Sequence, residues 1–265
     1  LEMMALAQAD SAAPRKDLYA FIHKALRAFM FDTLVTLGRV DADDDAQWTQ
    51  AGDAVAQLLA ICRAHLAHEN QFIHPAMERH AGGSSAQLTQ EHQGHERAID
   101  ALEASVARLR ACPLAQRARL AHVLYGQLSL FVAHNLEHMQ QEERGHNAVL
   151  WAHYGDAELA QIEGAIHASI PPDEIMVVLR WMLPALTPAE RALMLEEMRA
   201  HAPASVFQAV VEQVRPLLSG YQWDRLVRDL GEAPESTKAS GQKKIPFFTV
   251  KCTFLSSQNV LTQVP

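Results

Sequence analysis

Cysteine is scarce in this chain. Its three residues, Cys62, Cys112 and Cys252, stand far apart with no CxxC spacing. That argues against a disulfide framework and against a thiolate zinc site, and it suits a reducing, cytoplasmic compartment. Glycine and proline are few, twelve of each in 265 residues, and runs of β-branched residues are rare, so the turn punctuation of a sheet protein is missing. No apolar run approaches the ~18–20 residues that a membrane span requires, so no membrane partner is expected. The opening Leu1-Glu2-Met3-Met4-Ala5-Leu6-Ala7 lacks a basic flank and does not read as a signal peptide. Leu1-Glu2 ahead of Met3 reads as a cloning remnant. Positive charge is also short, with 23 Lys and Arg against 31 Asp and Glu and a net charge of −8. With no basic patch, this excludes a general nucleic-acid binder.

Ala, Leu, Glu, Gln and Arg dominate, and apolar residues reach 49%. That composition points to an all-α chain with a sizeable core. The first helix is expected over Asp17–Leu37, with Tyr19, Ile22/His23, Leu26, Met30, Thr33 and Leu37 inward and Gly38 as its C-cap. An acidic loop (Asp41, Asp43, Asp44, Asp45) supplies helix N-caps; the glycine and terminal glutamate of a calcium loop are missing. The second helix runs from Ala46 to His80, with a kink at Pro75, just after Glu69. The third follows Ser84-Ser85 and runs to Arg110. Its seam is Leu88, His92, His95, Ile99, Leu102, Val106 and Leu109, a 4,3 alternation typical of a bundle core. The fourth covers Leu114–Trp151. Short loops between long helices predict an up-down-up-down four-helix bundle with a C-terminal helical extension.

The domains are read as the bundle over 15–168, a C-terminal helical region over 169–231 and an unstructured tail over 232–265, of cloning origin if not native. In the C-terminal region Pro171-Pro172-Asp173-Glu174 opens a helix that Pro184 ends. Thr187-Pro188-Ala189-Glu190 is a capping box. Two short amphipathic helices follow, Ser205–Leu217 and Tyr221–Leu230.

Fourteen histidines require an explanation, and the inward stripes supply one. His138 and Glu142, four apart, share a helix face that is otherwise apolar (Leu124, Leu128, Phe131). His65 and Glu69 repeat the pattern 73 residues earlier among Leu58, Cys62 and Phe72. His23 on the first helix and His92 with His95 on the third complete the set, and the near-equal spacing of His23 and His95 pairs the first two helices with the last two. Burying imidazoles and carboxylates in apolar stripes costs several kcal/mol each unless they are paired or hold a metal. Two carboxylates can bridge two ions and five imidazoles fill most remaining positions, leaving one open for an exogenous ligand. Imidazole and carboxylate together with an open position suit iron.

Each element alone reads more plainly. His23 could be a satisfied core histidine, an i,i+4 His–Glu pair could lie on the surface, and His92 and His95 could belong to a partly exposed helix start. It is their coincidence on four stripes that points to metal. His134, one turn before His138, stands as an alternative or supporting ligand, and His68 as a weaker one. His74, His80, His122, His146, His153, His167 and His201 default to surface or capping roles. Tyr19 and Tyr125 could hydrogen-bond an exogenous ligand, although core packing is the plainer role.

His23, His65-x-x-x-Glu69, Glu91-His92 with His95, and His138-x-x-x-Glu142-Glu143 resemble the hemerythrin or HHE cation-binding family over about residues 15–168. The resemblance implies a non-haem di-iron centre of two Fe ions bridged by the two carboxylates, with reversible binding of O2 or a response to O2, NO or peroxide. The third-helix histidines are three apart where oxygen-carrying hemerythrins have four, and the last carboxylate is Glu at +4 rather than Asp at +5. Both features resemble the broader bacterial group. Three functions follow as expectations. The first is reversible O2 or NO binding for sensing, storage or delivery. The second is a di-iron enzyme or repair protein acting on peroxide, NO or iron–sulfur clusters. The third is a regulatory module in which residues 171–231 couple metal or gas state to a partner; packing on the bundle or homo-oligomerisation through those helices is the plainer role for them.

Overall fold

A computed structural model describes residues 15–231. The expectations for the N-terminal arm and for the 232–265 tail fall outside the described residues. All regular structure among these is helical, and no helix is long and apolar enough to cross a membrane.

Four long helices form the bundle: α1 (Ala20–Gly38), α2 (Asp45–His68), α4 (Ala86–Ala111) and α5 (Leu114–Gln141). Each packs on two others, α1 on α2 and α5, and α4 on α2 and α5. Their starts follow from side-chain chemistry. The Asp17 carboxylate accepts from the N–H groups of Tyr19 and Ala20 ahead of α1. Asp44 accepts from Ala46 and Gln47 at α2, as the acidic loop predicts. All seven seam residues of α4 are buried. Its five apolar members contribute about 1.5–3 kcal/mol each, enough to carry two imidazoles on the same seam.

Gly38 does not cap α1. It lies inside the helix, Arg39 is the C-cap residue, and a Cβ on Gly38 would come within 2.8 Å of Tyr125 Cε2. Close approach of α5, not left-handed backbone, is what this glycine allows.

The expected kink near Pro75 takes a particular form. α2 passes into a π-turn, Glu69–Ile73, and then α3 (His74–His80), with Pro75 in its first turn. A second π-turn, Glu142–His146, joins α5 to α6 (Asn147–His153) and contains Gly145 but no proline. Proline is therefore not the shared cause. What the two share is that each opens on a fully buried glutamate. Below them α7 (Asp156–Ser169), absent from the sequence reading, closes the bundle end. Gly155, which reads as a stop, does follow the end of α6 at His153 and the C-cap Tyr154, and it also N-caps α7, its N–H donating to Glu158. Tyr19, Ile73, Met77, Leu150, Tyr154 and Leu159 form an apolar cluster at this end.

The C-terminal region consists of α8 (Pro172–Ala185), α9 (Pro188–His201), α10 (Ala204–Val214), a 3-10 turn (Arg215–Leu217) and α11 (Gly220–Asp229). Pro184 is accommodated inside the last turn of α8, and the Thr187/Glu190 capping box forms. These helices share an apolar core that takes in Ala25 of α1. Trp181 stacks on Phe29 at 4.2 Å, and Lys24 pairs with Glu190 at 2.6 Å. The outer face of the helix bearing His23 is thus covered by α8 and α9.

Candidate metal centre

The π-turns place the two glutamates side by side in the bundle interior. Glu69 aims Oε1 at His65 Nε2 (3.1 Å) and Oε2 at His92 Nε2 (3.4 Å). Glu142 aims Oε2 at His23 Nε2 (3.5 Å) and Oε1 at the Nε2 atoms of His92 (3.4 Å) and His138 (3.0 Å). His23 and His65 face each other at 3.3 Å, and His92 and His138 at 3.0 Å. The atoms form two groups that share both carboxylates: His23, His65, Glu69 and Glu142, and then Glu69, His92, His138 and Glu142, each within 4.8 Å.

These atoms converge on common points rather than on one another. Both oxygens of Glu69 and Oε2 of Glu142 are buried without a hydrogen-bond partner, although imidazole nitrogens lie so near. Neighbouring ligands on bonds of about 2.1 Å at a right angle are separated by about 3.0 Å, which is the scale of the distances here.

The far side of three of the four grouped rings sets the tautomer. His23 Nδ1 donates to Glu143 Oε1 at 2.9 Å, His92 Nδ1 to Asn70 Oδ1 at 2.8 Å, and His138 Nδ1 to Glu91 Oε2 at 3.0 Å. An ionised carboxylate only accepts, so the proton is on Nδ1 and the Nε2 lone pair faces the centre. Arg27 anchors Glu143 at 2.6 Å. Burial works to raise the Glu143 carboxyl, but His23 and Arg27 hold it below the usual range. Glu91 is likewise held low, by His138 against burial.

Without an ion the centre is electrostatically strained. Burial and the Glu142 charge push the Glu69 carboxyl up. Burial opposes ionisation of Glu142 too, yet hydrogen bonds with His138 and His92 bring it well below the carboxylate range. Burial disfavours the His138 imidazolium, but Glu142, Glu91 and Glu69 outweigh it and raise the group to about 9. Burial lowers His65 to about 4. A cation binding here displaces protons and takes over the charge compensation they provide. The donor set of imidazole nitrogens and bridging carboxylates therefore fits metal ions: four residues converge on each of two adjoining points.

The structure brings six of the seven expected ligands together. His95 is buried, but its ring stands beside His138 at 4.6 Å and near Phe131, outside both groups, with Nδ1 unpartnered. Three residues advance a helix by about 4.5 Å, so His95 lies further along α4 than His92, beside the His138 ring. His134 is exposed: neighbours on a helix are about 100° apart, and Asn135 takes the inward position with its amide on the Phe131 carbonyl. His68 is half-buried, near Phe72. His80, His122, His153, His167 and His201 are exposed.

His74 and His146 are not on the surface. Both are buried, at 5% and 1% exposure, and Tyr19 is fully buried with its hydroxyl 2.7 Å from His146 Nδ1. The signal in the sequence was the continuation of spacing, since His138, Glu142 and His146 step by four. The Glu143, Asn70 and Glu91 contacts had none beyond adjacency to a ligand. Burial lowers His74, His95 and His146 to about 4 each. Tyr125 is partly exposed against Gly38, away from the centre.

No curated relative and no solved structure matches the chain. Residues 17–147 match the hemerythrin HHE cation binding domain, the stretch that contains every residue of both groups. The metal-binding bundle of this chain belongs to the hemerythrin HHE cation-binding family.

Proposed function

We propose that the protein is a non-haem di-iron protein that binds O2 or NO reversibly, for sensing, storage or delivery. The observation that carries this is the sharing of Glu69 and Glu142 between two groups of ligand atoms. His23 and His65 would hold one ion and His92 and His138 the other, with both glutamates bridging. Each ion then has two imidazole nitrogens and two carboxylate oxygens. An iron site preferring six ligands retains positions for solvent, for His95 or for a small exogenous molecule.

Iron in this centre supplies the redox-active Lewis acid to which a diatomic gas binds. The residues contribute position and charge. Glu143, Asn70 and Glu91 keep the rings of His23, His92 and His138 turned inward. Four neutral imidazoles and two carboxylates neutralise only part of the charge of two ions, which favours holding a ligand over forming the high-valent states that activate O2. The cytoplasm suits this function, and the C-terminal helices are a cover on α1 or a surface for a second copy.

The test is anaerobic loading with iron(II), then O2 or NO, followed by optical spectra and metal analysis. Two irons per chain and a spectrum that reverses on removing the gas support the proposal. Irreversible oxidation with multiple turnover would instead make the protein an enzyme, and a single iron per chain would end the di-iron assignment.

A further inference from the structure

Three buried rings outside the ligand groups form a continuous wall along one side of the centre. Tyr19 lies 5.2 Å from His23, His146 lies 5.8 Å from Tyr19, His74 meets His146 edge-on at 5.2 Å, and His74 stacks on His92 at 4.9 Å. His23 belongs to one half-site and His92 to the other, so the wall spans both. Packing alone does not explain its chemistry, because apolar side chains would fill the same space without burying polar atoms. His146 Nδ1 is held by the Tyr19 hydroxyl, and His74 Nδ1 by the Thr89 hydroxyl at 3.1 Å. The Nε2 atoms of both imidazoles are buried with no hydrogen-bond partner.

Each hydroxyl either donates to its Nδ1 or accepts from it, so the Nε2 atoms of His146 and His74 take either role. Two adaptable groups suit a small species that accepts or donates hydrogen bonds. A cleft of about 440 Å³, lined by Asn70, Glu78, Thr89, Gln93 and Glu96 among others, borders His74 and His92 at the surface, with two carboxylates in its lining.

We propose that His74 and His146, with Tyr19 positioning His146, form a hydrogen-bonding wall that stabilises a small ligand with acceptor atoms at the centre, of the peroxide class or an anion of similar size, alongside the gas binding proposed above. This rests on the reading of the centre as a two-iron site. Two iron ions facing only two carboxylates leave net positive charge, which favours such an anion.

Azide, a small anion that accepts hydrogen bonds, is the probe. The full-length protein is loaded with iron, oxidised and titrated with azide by its charge-transfer absorption, alongside His74→Phe, His146→Phe and Tyr19→Phe. The expected result is unchanged iron content in every variant, with azide affinity lower by roughly ten-fold for each imidazole removed and by less for Tyr19→Phe. His146→Gln, which keeps a donor, recovers part of the loss and covers the case in which a phenylalanine variant fails to fold. Azide affinity within two-fold of wild type at full iron content overturns the proposal. So does loss of an iron equivalent from either phenylalanine variant, which would make that imidazole a metal ligand. If wild type itself does not hold two irons, the di-iron reading fails first and this inference falls with it; wild type holding two irons with indifferent variants fails the wall alone.

Discussion

Glu69 and Glu142 occupy equivalent places in the two halves of the bundle. They are 73 residues apart, each is the first residue of a π-turn, and each divides its two oxygens between the two half-sites. Two buried carboxylates this close repel, and the repulsion falls on Glu69. A raised carboxyl pKa means that the folded, metal-free protein takes up a proton the unfolded chain has released, so its stability declines as pH rises above the ordinary carboxylate value towards the folded one. Glu69→Gln removes that term. Metal-free Glu69→Gln is expected to be more stable than metal-free wild type at pH 7 by about 1–3 kcal/mol, while its iron content falls to one per chain or less. Urea denaturation of chelator-treated samples, with metal analysis of loaded ones, checks both. A variant that lost stability without metal would contradict the repulsion.

The contact between His23 and Glu143 makes a second prediction. Asn70 stands 73 residues before Glu143, and each supports a histidine from the other half of the bundle, Asn70 for His92 and Glu143 for His23. Removing such a support typically weakens metal binding 10–100-fold. On the two-iron proposal, Glu143→Ala should weaken binding at the His23 and His65 group, and Asn70→Ala binding at the His92 and His138 group. Competition with a chromophoric chelator, using cobalt(II) to avoid redox change, resolves the two steps. Each variant should shift one step and spare the other; equal shifts in both would mean that the half-sites are not separate.

Much of this was legible because helical periodicity is a strong signal. The 4,3 seam of α4 and the two His-x-x-x-Glu elements place their residues inward whatever the details of packing, and all are buried except His65, which is half-buried. Register was less legible: His65 follows His23 by 42 residues, while His138 follows His92 by 46 and His95 by 43, so spacing alone does not say which third-helix imidazole enters the groups. His74, five residues after Glu69, falls off the regular helical count, and the π-turn between them brings it inward; His146 keeps the step of four from Glu142 and was legible. The glycines carried more than a stop signal: Gly38 ends α1 and also allows the close approach of Tyr125, and Gly155 follows α6 and also opens α7.

Glu78, which shares a cleft with His74 and His92 but is in neither ligand group, gives a pH prediction. Its carboxylate accepts from the backbone N–H of Gly83 and of Ser85 and from the Ser85 hydroxyl, tying the end of α3 to the start of α4. Those hydrogen bonds lower its pKa to about 2. A carboxyl depressed on folding stabilises the protein above its unfolded value and loses that contribution as pH falls through the folded one. The melting temperatures of metal-free wild type and Glu78→Gln should therefore differ by a constant amount from pH 7 to about 5, and converge between about 4.5 and 2. A gap that persists at the acid end would mean that the glutamine substitution acts by packing instead.

Arg191 governs the cover over α1. Although 2% exposed, its guanidinium donates to the carbonyls of Leu183 (2.6 Å), Pro184 (3.3 Å) and Leu186 (2.8 Å), where α8 ends. The last turn of a helix leaves carbonyls without intrahelical partners and carries partial negative charge, so a cation there is favourable. Burial lowers the Arg191 pKa, and a guanidinium withstands this where an ammonium would give up its proton more readily. Arg191→Met leaves these carbonyls buried and unpaired and should cost roughly 2–4 kcal/mol; Arg191→Lys should recover little of it, because one ammonium cannot reproduce the fork. Hydrogen exchange should show faster opening of residues 172–231, with α2, α4 and α5 unchanged. Iron content should stay at the wild-type level, since α8–α11 supply none of the grouped ligand atoms. The same variant separates the two roles open to these helices. If they only pack on α1, gas affinity is also unchanged; if they couple to the centre through the Phe29–Trp181 stack on the helix that carries His23, loosening them shifts gas affinity at constant iron.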